Sequence, residues 1–198
     1  ALSRKMILDK CPPETVNYLF TAAKNIFISG DEAASLELLN QLIAARPLEE
    51  SRANSLSIAG QFMEERLFEP ALRIYQVYAR HTDGADGKRI RLICAYLNLE
   101  LGRLSRSEIY IDEADAMAEG DLRSQATRQL IGGILAYNEG RWSDSLDLIG
   151  FALSALKPKD SMRVIALYYN YLTYQRLEEA GIAHSIIREM QLLFGSSR

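Results

Sequence analysis

A helix break recurs along this chain at a nearly constant interval. The helical pattern is interrupted at Gly30, Arg66, Gly102, Gly140 and Gln175, which are spaced 36, 36, 38 and 35 residues apart. A period of this size means stacked supersecondary units rather than one closed core, because a single unit cannot bury its own apolar face. The clearest unit is Leu130–Pro158, LIGGILAYNEGRWSDSLDLIGFALSALKP. Leu130, Ile131, Ile134, Leu135 and Tyr137 recur at helical spacing. Gly140 then supplies a residue that takes the left-handed conformation and ends a helix cheaply. Trp142, Leu146, Ile149, Leu153 and Leu156 resume the pattern, and Pro158 stops it. Gly132, Gly133, Ser145 and Ala152 are small where two helices must approach closely. The unit predicts a helical hairpin.

The same positions can be read in every unit. From Arg52, they hold Ile58, Ala59 and Phe62, then Ala71 and Tyr75. The first unit, from Val16, has Ala22, Ala23, Ile26, Ser35, Leu39 and a final Pro47. The third, from Lys88, gives Cys94, Ala95, Asn98, Ser107 and Ile111, and the fourth, from Ala126, gives Gly132, Gly133, Ala136, Ser145 and Ile149. The fifth, from Ser161, gives Leu167, Tyr168, Tyr171, Ala180 and His184, with a bulky Tyr168 at a small position and His184 at an aromatic one. The chain thus resembles the tetratricopeptide repeat family, whose ~34-residue module carries W-x2-L-G-x2-Y…A-x3-F…P. No unit has the leading Trp. The resemblance implies an all-α, right-handed superhelical solenoid of about five repeats, at 16–47, 52–83, 88–119, 126–157 and 161–192. An N-terminal segment, 1–15, precedes the repeat domain 16–194, and a tail, 195–198, follows it. Pro12-Pro13-Glu14 is a suitable helix start.

Composition narrows the function classes. With 48% apolar and 25% charged residues, the chain should fold. A formal charge of −3 argues against nucleic-acid binding, and Lys88, Arg89 and Arg91 read as a solvated face. No apolar run spans a bilayer, so no membrane insertion is expected. Ala1–Lys10 lacks the apolar core of a secretory signal; the compartment stays open, with the cytoplasm favoured. The absent initiator Met suggests a processed or excised fragment. Cys11 and Cys94 are too few for a disulfide framework or metal site, and Cys94 falls on an apolar face as an inert thiol.

Catalytic signatures are missing. There is no G-x-S-x-G, H-E-x-x-H or phosphate loop. His81 and His184 lie about three repeats apart, His81 in a loop and His184 at a packing position. Arg80–Gly87 reads as a turn, since an EF-hand counted from Asp83 would need Glu at its twelfth position and finds Cys94. Glu108, Asp112, Glu113, Asp115 and Glu119 read as a solvated helix face, and Trp142 as packing. The expectation is a non-enzyme without cofactor or metal.

The binding expectation rests on the first helix of each pair. The face turned away from the second helix lines a concave groove in tetratricopeptide proteins. Here it carries Phe20, Lys24, Phe27, Leu56, Met63, Leu92, Tyr96, Leu99, Leu130, Ile134, Tyr137, Ile165 and Tyr169. Family members that grip an acidic chaperone tail use Lys, Asn and Arg at set positions. Phe20, Lys24, Ser57, Arg89 and Ile93 stand there instead. A mostly apolar groove suits an apolar or amphipathic segment of a protein partner. The competing reading is that curvature, or Ala1–Cys11 folding back, buries these side chains. The expected role is an adaptor, scaffold or chaperone. The alternative is a sensory or oligomerisation domain cut from a larger regulator. The last helix, near Glu178–Phe194, carries Ile182, Ile186, Met190 and Leu193, which predicts homodimerisation through it or a continuing chain.

Overall fold

The computed structural model describes residues 13–44, 48–118, 120–158 and 160–194. The expected segments 1–12 and 195–198, with Cys11 and Pro47, lie outside the described residues. Among the described residues there are ten helices and no strand. They are α1 (Pro13–Ile28), α2 (Glu32–Ala44), α3 (Leu48–Glu64), α4 (Phe68–Ala79) and α5 (Gly84–Glu100), then α6 (Leu104–Asp115), α7 (Leu122–Asn138), α8 (Trp142–Ala155), α9 (Ser161–Arg176) and α10 (Ala180–Phe194). They pair into five antiparallel-type hairpins, as the period predicts.

Each hairpin turns in the same way. One residue takes positive φ at each junction: Gly30 (97°), Arg66 (61°), Gly102 (70°), Gly140 (77°) and Glu178 (61°). At the fourth, Gly140 N–H donates to the Tyr137 carbonyl at 3.1 Å and Arg141 N–H to the Ala136 carbonyl at 2.8 Å. The same pair of bonds recurs at every junction, ending with Glu178 to Gln175 and Glu179 to Tyr174. These bonds satisfy carbonyls that a helix end would otherwise leave unpaired. A left-handed conformation costs a non-glycine residue on the order of 1–2 kcal/mol. Arg66 recovers part of this by stacking its guanidinium 5.8 Å from the Phe68 ring centroid.

The last junction corrects the sequence reading. It lies at Glu178, not Gln175, so the fifth unit is shifted by three residues. Tyr171, not Tyr168, stands where the other hairpins have Ala23, Ala59, Ala95 and Gly133. Ala183 and Ile187, not Ala180 and His184, then match Ser145 and Ile149. His184 is exposed rather than packed. The Arg80–Gly87 break is also shorter than expected, because α5 begins at Gly84 (φ +67°).

The chain divides into two compact units, 1–83 with 93–110, and 84–92 with 111–198. In the first, α1 packs on α2, α3 on α4, and α2 on α4. Small residues let the helices meet. Ser35 Oγ donates to the Ala23 carbonyl at 2.6 Å, and Ser107 Oγ to the Ala95 carbonyl at 2.9 Å. In the second, α9 packs against both α7 and α8, and α10 against α9. A Cβ on Gly133 would stand 2.6 Å from Ile149 Cγ1, so only glycine fits this α7–α8 crossing.

Polar side chains finish the helix ends of this unit. Asp121 caps α7, accepting from Ser124 N–H at 2.9 Å and Ser124 Oγ at 2.8 Å. Asp160 caps α9 by accepting from Met162 N–H at 3.0 Å, and it pairs with Arg123. Arg163 of α9 donates to the Leu153 and Leu156 carbonyls at the end of α8 and to Glu189 of α10.

Candidate functional site

The first helices were expected to expose an apolar stripe along one side, and the structure places most of that stripe inside. Phe20, Met63, Leu92, Tyr96, Leu99, Leu130 and Ile134 are buried. Tyr96 meets Phe68 edge-to-face at 6.3 Å, and Leu92 and Leu130 have no exposed surface. The continuous open groove is therefore corrected. These helices are apolar on two faces, and a contiguous apolar stripe in water is unfavourable at roughly 25 cal/mol per Å², so packing closes it.

The remaining expected residues are half-buried: Lys24, Phe27, Leu56, Tyr137, Ile165 and Tyr169. Lys24 is held by Glu65 at 2.8 Å, beside the second junction. Tyr137 and Tyr169 meet edge-to-face at 5.7 Å, and Tyr169 meets Tyr168 in the same way at 5.6 Å. The aromatic cluster of unit two thus stays partly accessible. The self-association residues also separate. Ile186 is buried and Met190 and Leu193 are half-buried, while Ile182 is exposed. Ile186 belongs to the hairpin interior, not to a docking face.

A cleft of ≈ 610 Å³ opens beside this cluster, within the second unit. Tyr137 of α7, Leu172, Gln175 and Arg176 of α9, and Ala183, His184 and Ile187 of α10 line it, with Tyr171, Ala180 and the junction residue Glu178. Its floor follows from the sequence. Tyr171 occupies the small-residue position of the hairpin, so α9 and α10 do not close over Ile187 as α7 and α8 close over Ile149. Ile149 is fully buried, and Ile187 is only half-buried.

The cleft carries polar groups with defined partners. Gln175 Nε2 donates to the Tyr171 hydroxyl. Arg176 Nε lies 3.4 Å from the Tyr137 hydroxyl, which raises an already high guanidinium pKa. Of the cleft residues, the sequence reading names Tyr137 for binding and places Leu172 on the same groove-lining face. Arg176 and Gln175 were missed through the three-residue slip at the last junction. An interval of 38 residues, equal to the preceding one, would have placed them.

Among the described residues no helix is long and apolar enough to cross a membrane. No group of three or more His, Cys, Asp or Glu among them is placed to hold a metal ion. Cys94 is buried.

No family model matches the chain, and no curated protein matches it. Among solved structures it is similar to YrrB, described as a TPR protein with an unusual peptide-binding site. The identity is 13%, the match covers 90% of this chain and 86% of that one, and the TM-score is 0.39. Five hairpins of nearly one period are each closed by one hydrogen-bond pattern. On that geometry the described residues form a repeated array of helical hairpins, the organisation that the tetratricopeptide resemblance implies.

Proposed function

We propose that this chain is a non-enzymatic protein-interaction module, and that a partner segment seats in the cleft between α9 and α10 beside Tyr137. The observation that carries this reading is the accessible mixture of apolar and hydrogen-bonding groups there. Leu172, Ala183 and Ile187 offer apolar surface, and the Tyr137 hydroxyl, Gln175 and Arg176 can fix orientation. Binding sites commonly combine an apolar wall with a few placed polar groups. The buried side chains of the earlier hairpins then serve as scaffold.

The test is selection of peptides from a displayed random library on the purified chain. Recovered peptides should bind in solution and lose about tenfold in affinity on Tyr137→Ala or Leu172→Ala, which remove contact area from the seat. Ile109→Ala, at an exposed site in the other unit, should leave affinity unchanged. Peptides indifferent to both cleft substitutions would overturn the assignment.

A second reading rests on a separate observation. Ile182 and Leu192 of α10 are 43% and 79% exposed, so this helix presents apolar side chains to water. An oligomerising domain of a larger regulator would use them. Sedimentation equilibrium checks this: a dimer lost on Leu192→Glu supports it, and a monomer at high concentration sinks it.

A further inference from the structure

We infer that the α9–α10 cleft recognises a partner segment of mixed charge, with an acidic side chain for Arg176 and a basic one for Glu178 flanking an apolar residue. This rests on the proposed seat and names the chemistry of its occupant. Arg123, Arg128 and Arg163 of the same unit each reach a carboxylate. Arg176 does not. Among the described residues its sole polar partner is the Tyr137 hydroxyl, and the guanidinium is exposed at the cleft, where a partner's carboxylate can reach its other donors.

Glu178 stands two residues away, also on the cleft, and no ion pair joins the two among the described residues. Its backbone has φ 61°, where three of the five junctions use glycine. Arg66, the other exception, holds its strained position with a stacking contact inside the chain. Glu178 has no such side-chain contact among the described residues. The opposite charges also complement a segment carrying opposite charges in reverse order, which fixes its direction in the seat. The apolar residue between them would rest on Leu172 and Ile187.

The test uses four fluorescein-labelled helical peptides of about 12 residues, each with a central leucine, read by anisotropy on the intact chain. One carries glutamate and lysine on either side of the leucine, one two glutamates, one two lysines and one two glutamines. The mixed peptide should bind most tightly, with each single-charge peptide about threefold to fivefold weaker, as expected for exposed ion pairs. Arg176→Glu should transfer the preference to the lysine peptide, and Glu178→Lys to the glutamate peptide. Such gains cannot come from misfolding. Equal binding of all four peptides, with no transfer of preference, overturns the mixed-charge inference and leaves the protein-interaction reading standing. Binding by none of the four overturns the inference, and the library selection then decides the broader reading separately.

Discussion

The fourth and fifth hairpins share a fold unit, a turn geometry and a similar length, yet one is sealed and the other holds a cleft. The difference begins at the residue seven before the junction. In the fourth hairpin it is Gly133, and the helices close until Ile149 has no exposed surface. In the fifth it is Tyr171, and the corresponding Ile187 stays half-buried beside a ≈ 610 Å³ opening. The two hairpins thus differ at the crossing point, glycine in the closed one and tyrosine in the open one.

The largest expected break in this comparison comes from truncating the two isoleucines. Ile149→Ala should lower stability by about 2–5 kcal/mol, because it empties a closed space. Ile187→Ala should cost under about 1.5 kcal/mol, since its surroundings already admit water. Urea denaturation measures both, and equal costs would remove the distinction between the hairpins. Next, Gly133→Ala should destabilise by roughly 1–3 kcal/mol, because its Cβ meets Ile149 Cγ1 at 2.6 Å and the Ser145 carbonyl at 3.3 Å.

A smaller effect separates the two by pH. The hydrogen bonds from Ser124, side chain first and then backbone, hold the Asp121 carboxyl below its ordinary 3.8. A lowered folded-state pKa adds stability above the unfolded value and loses it as pH falls through the folded value. Asp121→Ala should therefore cost about 1 kcal/mol at neutral pH, with the gap to wild type shrinking below pH ~4. The smallest effect favours the variant. Glu178→Gly should stabilise by up to about 1 kcal/mol, while Gly140→Ala should destabilise by a similar amount, because both junctions need positive φ. A destabilising Glu178→Gly would mean that the carboxylate has a structural duty.

The repeat architecture was legible because four of its junctions declare themselves. Gly30, Gly102 and Gly140 are the residues that a left-handed turn favours, and Arg66 falls on the same spacing. Glu178 does not declare itself. A charged residue at positive φ has no local sequence signal, so spacing alone points to Gln175, three residues short of the true junction. The slip hid Arg176 and misplaced His184. The groove failed for another reason. Leu92, Leu130 and Ile134 have the periodicity of an apolar face, but periodicity gives direction around a helix and not what lies opposite. Whether such a face meets water or protein is settled by packing against neighbouring helices, which no local pattern records.

Arg163 has a consequence for how this region breathes. Its guanidinium bonds the last carbonyls of α8 and a carboxylate of α10 from a position on α9. A helix end normally frays alone, at little free-energy cost. Here the end of α8 cannot release its carbonyls without loosening a side chain that also holds α10. Fraying at the end of α8 is thereby linked, through one guanidinium, to the contact that α9 makes with Glu189.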